Sequence, residues 1–279
     1  MEPRRSSQDE VVLNTLSPAR RRFVLLLVGG VASVAAVGAL LAVRGLQSNA
    51  VHPVAQDSPG PVLLVPGYGG SLVSLDELVA ALRAEGRDAS VVVPPGDGTG
   101  DLREQARTLG AAVDAALART GAPSVDVVGY SAGGVVARLW VRDYGGASQA
   151  RRVVTLGSPQ HGTGVAGLAV EVVPGQCSVA CQQLAPDSDL LRQLNAGDET
   201  PDGPRFISIW TTTDQIVTPP DSARLDGALN IPVQSICPTT SLAHGDLPTS
   251  PVVLHTVELE LGAGPPVAPT PRDCARFSS

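Results

Sequence analysis

The sequence predicts an α/β fold, a mostly parallel sheet with helices on both faces. Short apolar runs ended by Gly or Pro alternate with segments of helical spacing, in the order βαβαβαβ. A chain of 279 residues, 43% hydrophobic, can bury one sizeable core, and its length argues for one folded domain. The residues best suited to chemistry fall in loops that follow strands, where ligands bind in open parallel sheets.

The elements justify the class one by one. Val62-Leu63-Leu64-Val65, stopped by Pro66-Gly67, suits a strand buried on both faces. Leu75 to Glu85 carries apolar residues at 75, 78, 79 and 82, a helical spacing. Ser90 to Val93 is the next strand. Asp101 to Thr120 reads as a long helix with Leu102, Ala106, Leu109, Val113 and Leu117 on one side and Asp101 as N-cap. Val125 to Gly129 is a strand, Ala132 to Tyr144 a helix, and Val153 to Gly157 a strand. Ser158 to Pro204 reads as an insertion over one edge of the site, with a short helix from Leu184 to Leu194. Phe206 to Thr211 resumes the sheet, Val233 to Ile236 is a further strand, and Pro251 to Leu261 closes with a helix. The tail from Gly264 is Pro-rich and irregular.

Ahead of this domain, which spans 61–279, lie three segments of different composition. Residues 1–22 form a basic tail ending in Arg20-Arg21-Arg22, and 23–43 contain no charge. Residues 44–60 mix Ser, Pro, Gln and Asp as a linker does. The run 23–43 is long enough to cross a hydrocarbon core of roughly 30 Å, and the basic flank places Met1 in the cytoplasm. Its length favours a retained signal anchor. The alternative is a cleaved export signal, because Arg20-Arg21-Arg22-Phe23-Val24 is similar to a twin-arginine signal and Ser48-Asn49-Ala50 offers a small-residue cleavage site. Either way, the domain lies outside the cytoplasm, secreted or anchored to the plasma membrane.

Composition narrows the partners. A formal net charge of −7 argues against nucleic acid, which needs a basic face. All the basic residues are Arg, and with so much Ala, Gly, Val and Pro this reads as genomic background. Aromatics at 3% leave a core of Val, Leu and Ala, with little room for a stacking platform.

Gly129-Tyr130-Ser131-Ala132-Gly133 matches G-x-S-x-G between a predicted strand and a predicted helix. There the serine sits on a tight turn, exposed at the positive end of the following helix. Together with Val65-Pro66-Gly67-Tyr68-Gly69-Gly70, the segment Val127–Gly134 resembles the nucleophile elbow and oxyanion loop of bacterial lipases. The stretch from about Pro61 to Leu261 is similar to small secreted triacylglycerol lipases of the α/β-hydrolase superfamily, the compact type without a large lid. The family usually has His at position 66 and often at 130, where this chain has Pro and Tyr.

The resemblance implies a serine hydrolase acting on fatty-acyl or other esters without metal or cofactor. Ser131 is the expected nucleophile. The backbone amides of Tyr68 and Ala132 are the expected oxyanion donors. The base must follow the acid in the chain. Of four histidines, His244 lies after the last strand and before the closing helix, where the superfamily places its base. His161 in Ser158-Pro159-Gln160-His161-Gly162-Thr163 is the alternative, expected to shape the site wall. His255 reads as structural and His52 as a solvated linker residue. Asp214, just after the strand 206–211, is the expected acid. Asp221 and Asp226 read as turn carboxylates, and Asp187 and Asp189 as helix caps.

Cys177, Cys181, Cys237 and Cys274 all follow the apolar run, in keeping with export. Of the three possible pairings we favour Cys177–Cys181 with Cys237–Cys274. A metal site is disfavoured, since the spacing lacks a tight C-x-x-C and no His lies beside it. An acyltransferase or thioesterase on the same residues, and a non-catalytic binding module, are the competing readings. No long amphipathic lid is evident, so little interfacial activation is expected.

Overall fold

The computed structural model describes residues 53–172 and 175–278, together with Val51 and scattered positions between Ser17 and Ser33. The chain divides into two compact units, 1–50 and 51–279. In the first, the described positions from Pro18 to Ser33 are helical and exposed. Among the described residues no helix is long and apolar enough to cross a membrane. The charge-free run 23–43 and the candidate cleavage site at Ala50 lie largely outside the described residues, as does His52.

The second unit is a six-stranded sheet. The strands are β1 (Val62–Val65), β2 (Ala89–Val91), β3 (Val125–Tyr130), β4 (Ala150–Leu156), β5 (Arg205–Trp210) and β6 (Leu229–Pro232). Their order is β2-β1-β3-β4-β5-β6, and every neighbouring pair is parallel. Register lines up Leu63, Val127, Val153 and Phe206 in one row. Their chain neighbours Leu64, Val128, Val154 and Ile207 form the next. Successive strand residues point to opposite faces, so the two rows belong to two cores.

Helices α1 (Asp76–Ala84), α2 (Leu102–Thr120) and α3 (Ala132–Asp143) follow the first three strands. α2 and α3 cover the Leu63 row with Leu109, Val113, Val136 and Trp140, while α1 covers the other face with Leu78 and Leu82. Asp101 caps α2 by accepting from Arg103 N–H, and Gly121 ends it at φ 70. Each of these buried aliphatic side chains contributes about 1.5–3 kcal/mol.

The insertion forms three helices, α4 (Gly164–Val172), α5 (Val179–Gln183) and α6 (Asp189–Leu194), where the sequence predicted one from 184 to 194. Pro186 and the Ser188 cap divide that stretch. Ser188, not Asp187 or Asp189, accepts from Leu191 N–H to start α6. A second departure concerns 233–236, predicted as a strand. The edge strand is β6, ending at Pro232, and Val233–Ile236 is the one-turn helix α7 with Val233 and Ile236 both buried. Residues three apart share a helical face, so the same two apolar positions serve a turn as well as a strand. Helices α8 (Pro251–Glu260) and α9 (Cys274–Phe277) complete the unit, and α8 buries Val253 and Val257 in the second core. The disulfides are Cys177–Cys181 and Cys237–Cys274, with Cα atoms 5.4 and 5.1 Å apart.

The end of the sheet opposite the strand C-termini is tied by buried charge. Asp126 Oδ2 accepts from Arg87 and Arg151, each at 2.6 Å, and Oδ1 accepts from Arg151 Nε at 2.9 Å. The same arginines donate to the carbonyls of Gln56, Gly60, Leu261 and Gly262. Residues 56–60, read as linker, are thereby held against the sheet base together with the end of α8. Arg152 donates to the carbonyls of Glu260 and Gly264. Glu260 is fully buried; Oε1 accepts from Val267 N–H, and Oε2 has no partner among the described residues.

Burial pushes the Glu260 carboxyl up to about 7, against the opposing pull of Val267 N–H and Arg152. The folded state therefore holds more protons than the unfolded one between the ordinary 4.5 and about 7. Stability should fall as pH rises through that window. Urea midpoints taken on both sides of it should drop for the wild type, and Glu260→Gln should flatten that drop.

Candidate active site

The site grows from the turn after β3. Ser131 has φ 51 and ψ −124, and among the described residues it alone has positive φ without being glycine. A conformation of this kind costs about 1–3 kcal/mol and persists only where its surroundings enforce it. Here they do so through close backbone packing. A Cβ on Gly129 would lie 2.5 Å from Gly134 Cα. One on Gly133 would lie 2.2 Å from Val65 O, and one on Gly134 would lie 2.0 Å from Ser158 Oγ. The glycines of G-x-S-x-G-G are thus what lets α3 start against the end of β1. Ser131 N–H donates to Leu156 O at 2.8 Å, pinning the turn to β4.

Sheet order places this turn at a particular spot. β1 connects outward to β2 on one side, whereas β3 to β6 run outward on the other. The C-terminal ends of β1 and β3 flank the point where the strand order reverses, the expected ligand crevice of such sheets. Ser131 follows β3 there, and the loop Pro66–Gly70 follows β1.

Ser131 Oγ lies 2.9 Å from His244 Nε2, and His244 Nδ1 lies 2.7 Å from Asp214 Oδ2. An ionised carboxylate only accepts, so Nδ1 carries the proton and Nε2 faces the serine as acceptor. Asp214 follows β5, and its Oδ1 accepts from Ile216 and Val217 N–H at 2.9 Å each. Burial alone would raise its pKa. The hydrogen bonds from His244, Val217 and Ile216 outweigh burial and hold the carboxyl below its usual value. The His244 loop is laced to the same strand end. Thr213 Oγ1 donates to Leu242 O at 2.8 Å, and Gln234 Nε2 donates to Thr211 Oγ1 and Thr240 O. Sequence reading missed these threonines and Gln234, although the run Thr211-Thr212-Thr213 beside an acid was a visible signal.

The other candidates fall as follows. Ala132 is the first residue of α3, where helix geometry leaves its N–H without an intrahelical partner. Tyr68 lines the same cleft as Ser131, and its phenol is 3.0 Å from Ser178 Oγ. His161 pairs with Glu199 at 2.8 Å and is not part of the Ser131 array. His255 bonds to Pro251 O and stacks on Phe277.

A cleft of about 370 Å³ opens beside Ser131, walled by Ala166, Ala169, Leu184, Val217 and the Cys177–Cys181 disulfide. α4 forms one side of it. This helix is apolar along most of its length, yet of its residues only Ala166 is buried; Val165, Leu168 and Val172 face outward. The insertion is anchored from behind by Arg138, whose buried guanidinium donates to Asn195, Gln160 and the carbonyls of Leu194 and Glu199.

A parallel sheet with a serine on a strained strand-to-helix turn at its switch point, hydrogen-bonded to a histidine that in turn meets an acid, is the α/β-hydrolase fold. Residues 104–254 match the family model described as Lipase (class 2), and the chain belongs to that family. None of the curated proteins matches the chain in sequence. Among solved structures, Aspergillus fumigatus lipase B is similar at 20% identity and a TM-score of 0.64, over 79% of this chain and 56% of that one. This chain therefore spans little more than half of the fungal lipase's length. The mature form of Bacillus licheniformis lipase BlEst2 is similar at 19% identity and a TM-score of 0.58, over 77% and 96%. The product of the Listeria innocua gene lin2722 is similar at 15% identity and a TM-score of 0.54, over 76% and 98%. These likenesses concern the fold.

Proposed function

We propose that this protein hydrolyses carboxylic esters with an apolar acyl group, through an acyl-enzyme on Ser131. The observation that carries the reading is the continuous hydrogen-bonded line from Ser131 through His244 to Asp214, whose Ser131 end opens on an apolar cleft. A serine at its ordinary pKa is a poor nucleophile and needs an adjacent base. His244 Nε2 takes the Ser131 proton as Oγ attacks the ester carbonyl. Asp214 keeps Nδ1 protonated and stabilises the imidazolium that forms. The amides of Ala132 and Tyr68 receive the oxyanion, with the start of α3 adding its positive end. The imidazolium then protonates the departing alkoxide. Water, deprotonated by His244, releases the acyl group in the second half-reaction.

Setting is part of the proposal. Two disulfides fit an oxidising compartment outside the cytoplasm, with residues 1–50 as the export or anchoring segment and 51–279 as the catalytic unit.

The full chain should hydrolyse p-nitrophenyl butyrate and p-nitrophenyl palmitate, and the ratio of the two rates measures how much of an acyl chain the cleft accepts. Failure of the folded, disulfide-intact protein to cleave either ester would overturn the reading.

A further inference from the structure

Position 130, the residue before the proposed nucleophile, holds a tyrosine whose surroundings the mechanism above does not use. Its ring lies against the His244 imidazole with centroids 5.2 Å apart and planes 30° from parallel. Its phenol donates to the main-chain carbonyl of His244 at 3.3 Å. Gly67 of the loop after β1 also lies close to it: an added Cβ there would come within 3.4 Å of the ring and 3.0 Å of Ser131 Cβ. The ring therefore fills a slot between the proposed oxyanion loop and the proposed base. It is not among the residues lining the acyl cleft.

We infer that Tyr130 is a positioning residue for the base, its ring face holding and favouring the imidazolium form of His244 that develops as Ser131 attacks. The inference rests on the Ser131–His244–Asp214 reading. A cation within about 6 Å of an aromatic centroid is attracted by the ring quadrupole, more so where water is excluded. Neutral imidazole gains less, so the contact is stronger in the transition state than in the ground state, which is what accelerates a reaction. The charged and titratable groups around His244 are Asp214 at Nδ1, Asp246 on its own turn, and Tyr130 beneath it. The phenol stays neutral at physiological pH. Burial first, then the nearby charges of Asp214 and Asp246, push it up to about 12. Its hydroxyl serves as a second, weaker tie by fixing the His244 backbone.

A merely space-filling ring would be replaced as well by leucine or methionine as by phenylalanine. The test compares Tyr130→Phe, Tyr130→Leu and Tyr130→Met in the full chain on p-nitrophenyl butyrate. Rates are taken per mole of serine phosphorylated by diethyl p-nitrophenyl phosphate, which releases one p-nitrophenolate per site and removes any misfolded fraction from the comparison. Tyr130→Phe keeps the ring and should retain kcat within about fivefold, the loss of one neutral hydrogen bond. Both aliphatic variants should fall about ten- to thirtyfold in kcat below the wild type, and at least about fivefold below Tyr130→Phe, with KM within about twofold. Aliphatic variants closer than that to Tyr130→Phe, or a loss confined to KM, would overturn the inference. Ser131→Ala, which has no serine to phosphorylate, is run beside them with its rate taken per mole of protein. If it keeps its activity, the triad reading itself fails; if it is inactive while the aliphatic variants keep pace, only the role of Tyr130 fails.

Discussion

Ser131→Ala is expected to lower kcat on p-nitrophenyl butyrate by a factor on the order of 10⁶, with the fold and KM little changed. The methyl group cannot attack. The described nucleophiles near the base are held elsewhere: Thr213 is engaged with Leu242, and Ser158 is packed against Gly134. Alanine also tolerates φ 51 no better than serine, so backbone strain is unchanged and the comparison isolates the hydroxyl. Some acceleration over water should persist, because the proposed oxyanion donors and the cleft remain. A variant retaining even a tenth of the wild-type kcat would exclude Ser131 as the nucleophile. Active-site titration gives an independent reading, since the variant should release no burst of p-nitrophenolate.

Asp214→Asn should cost roughly 10⁴ in kcat, the magnitude expected when the base is left in the wrong tautomer. The amide nitrogen is a donor, so a side chain of nearly the same shape would present N–H where His244 Nδ1–H needs an acceptor. The new amide could instead turn its oxygen to Nδ1, but its NH₂ would then face the Ile216 and Val217 amides, which already donate to Oδ1. Either orientation loses at least one good contact. The change carries a stability signature as well. The Asp214 carboxyl is held below its usual value in the folded protein. It therefore contributes stability that is fully present above the unfolded pKa of about 3.9 and is lost as pH falls through the folded value. The amide of the variant does not titrate and has no such dependence. Thermal midpoints of the two proteins should differ most at neutral pH and converge in strong acid. Equal kcat for the two proteins would remove Asp214 from the mechanism, whatever the midpoints show.

Much of the site was legible because its signals are local. The nucleophile turn needs small residues at fixed offsets from a serine, and Gly129, Gly133 and Gly134 supply them within six residues of chain. Strands buried on both faces read as continuous apolar runs, so β1 and β3 were found nearly residue for residue. The α2 cap was visible for the same reason, since Asp101 acts on an amide two residues away.

What was not legible involves partners far along the chain. β4 begins at Ala150, three residues before the predicted start. Arg151 and Arg152 look like loop residues until Asp126 and the carbonyls ending α8 are brought to them. The strand-to-turn difference at 229–236 has a similar origin. Val233 and Ile236 suit either form, and pairing of Ile209 with Ile231 decides where the edge strand lies. His161 and His244 each follow a predicted strand and precede a glycine, and only the fold sends one to Glu199 and the other to Ser131.

The sequence by itself determined the class of fold, the serine turn and the chain order of the proposed reacting groups, because periodicity and turn chemistry act over a few residues. The tertiary structure alone decided that the three side chains meet, since residues 131, 214 and 244 are joined only by parallel strands of one sheet and the threonine-laced loops at its edge. It also decided that Tyr130 lies against His244, the proposed base, a contact between residues 114 positions apart that no local pattern encodes.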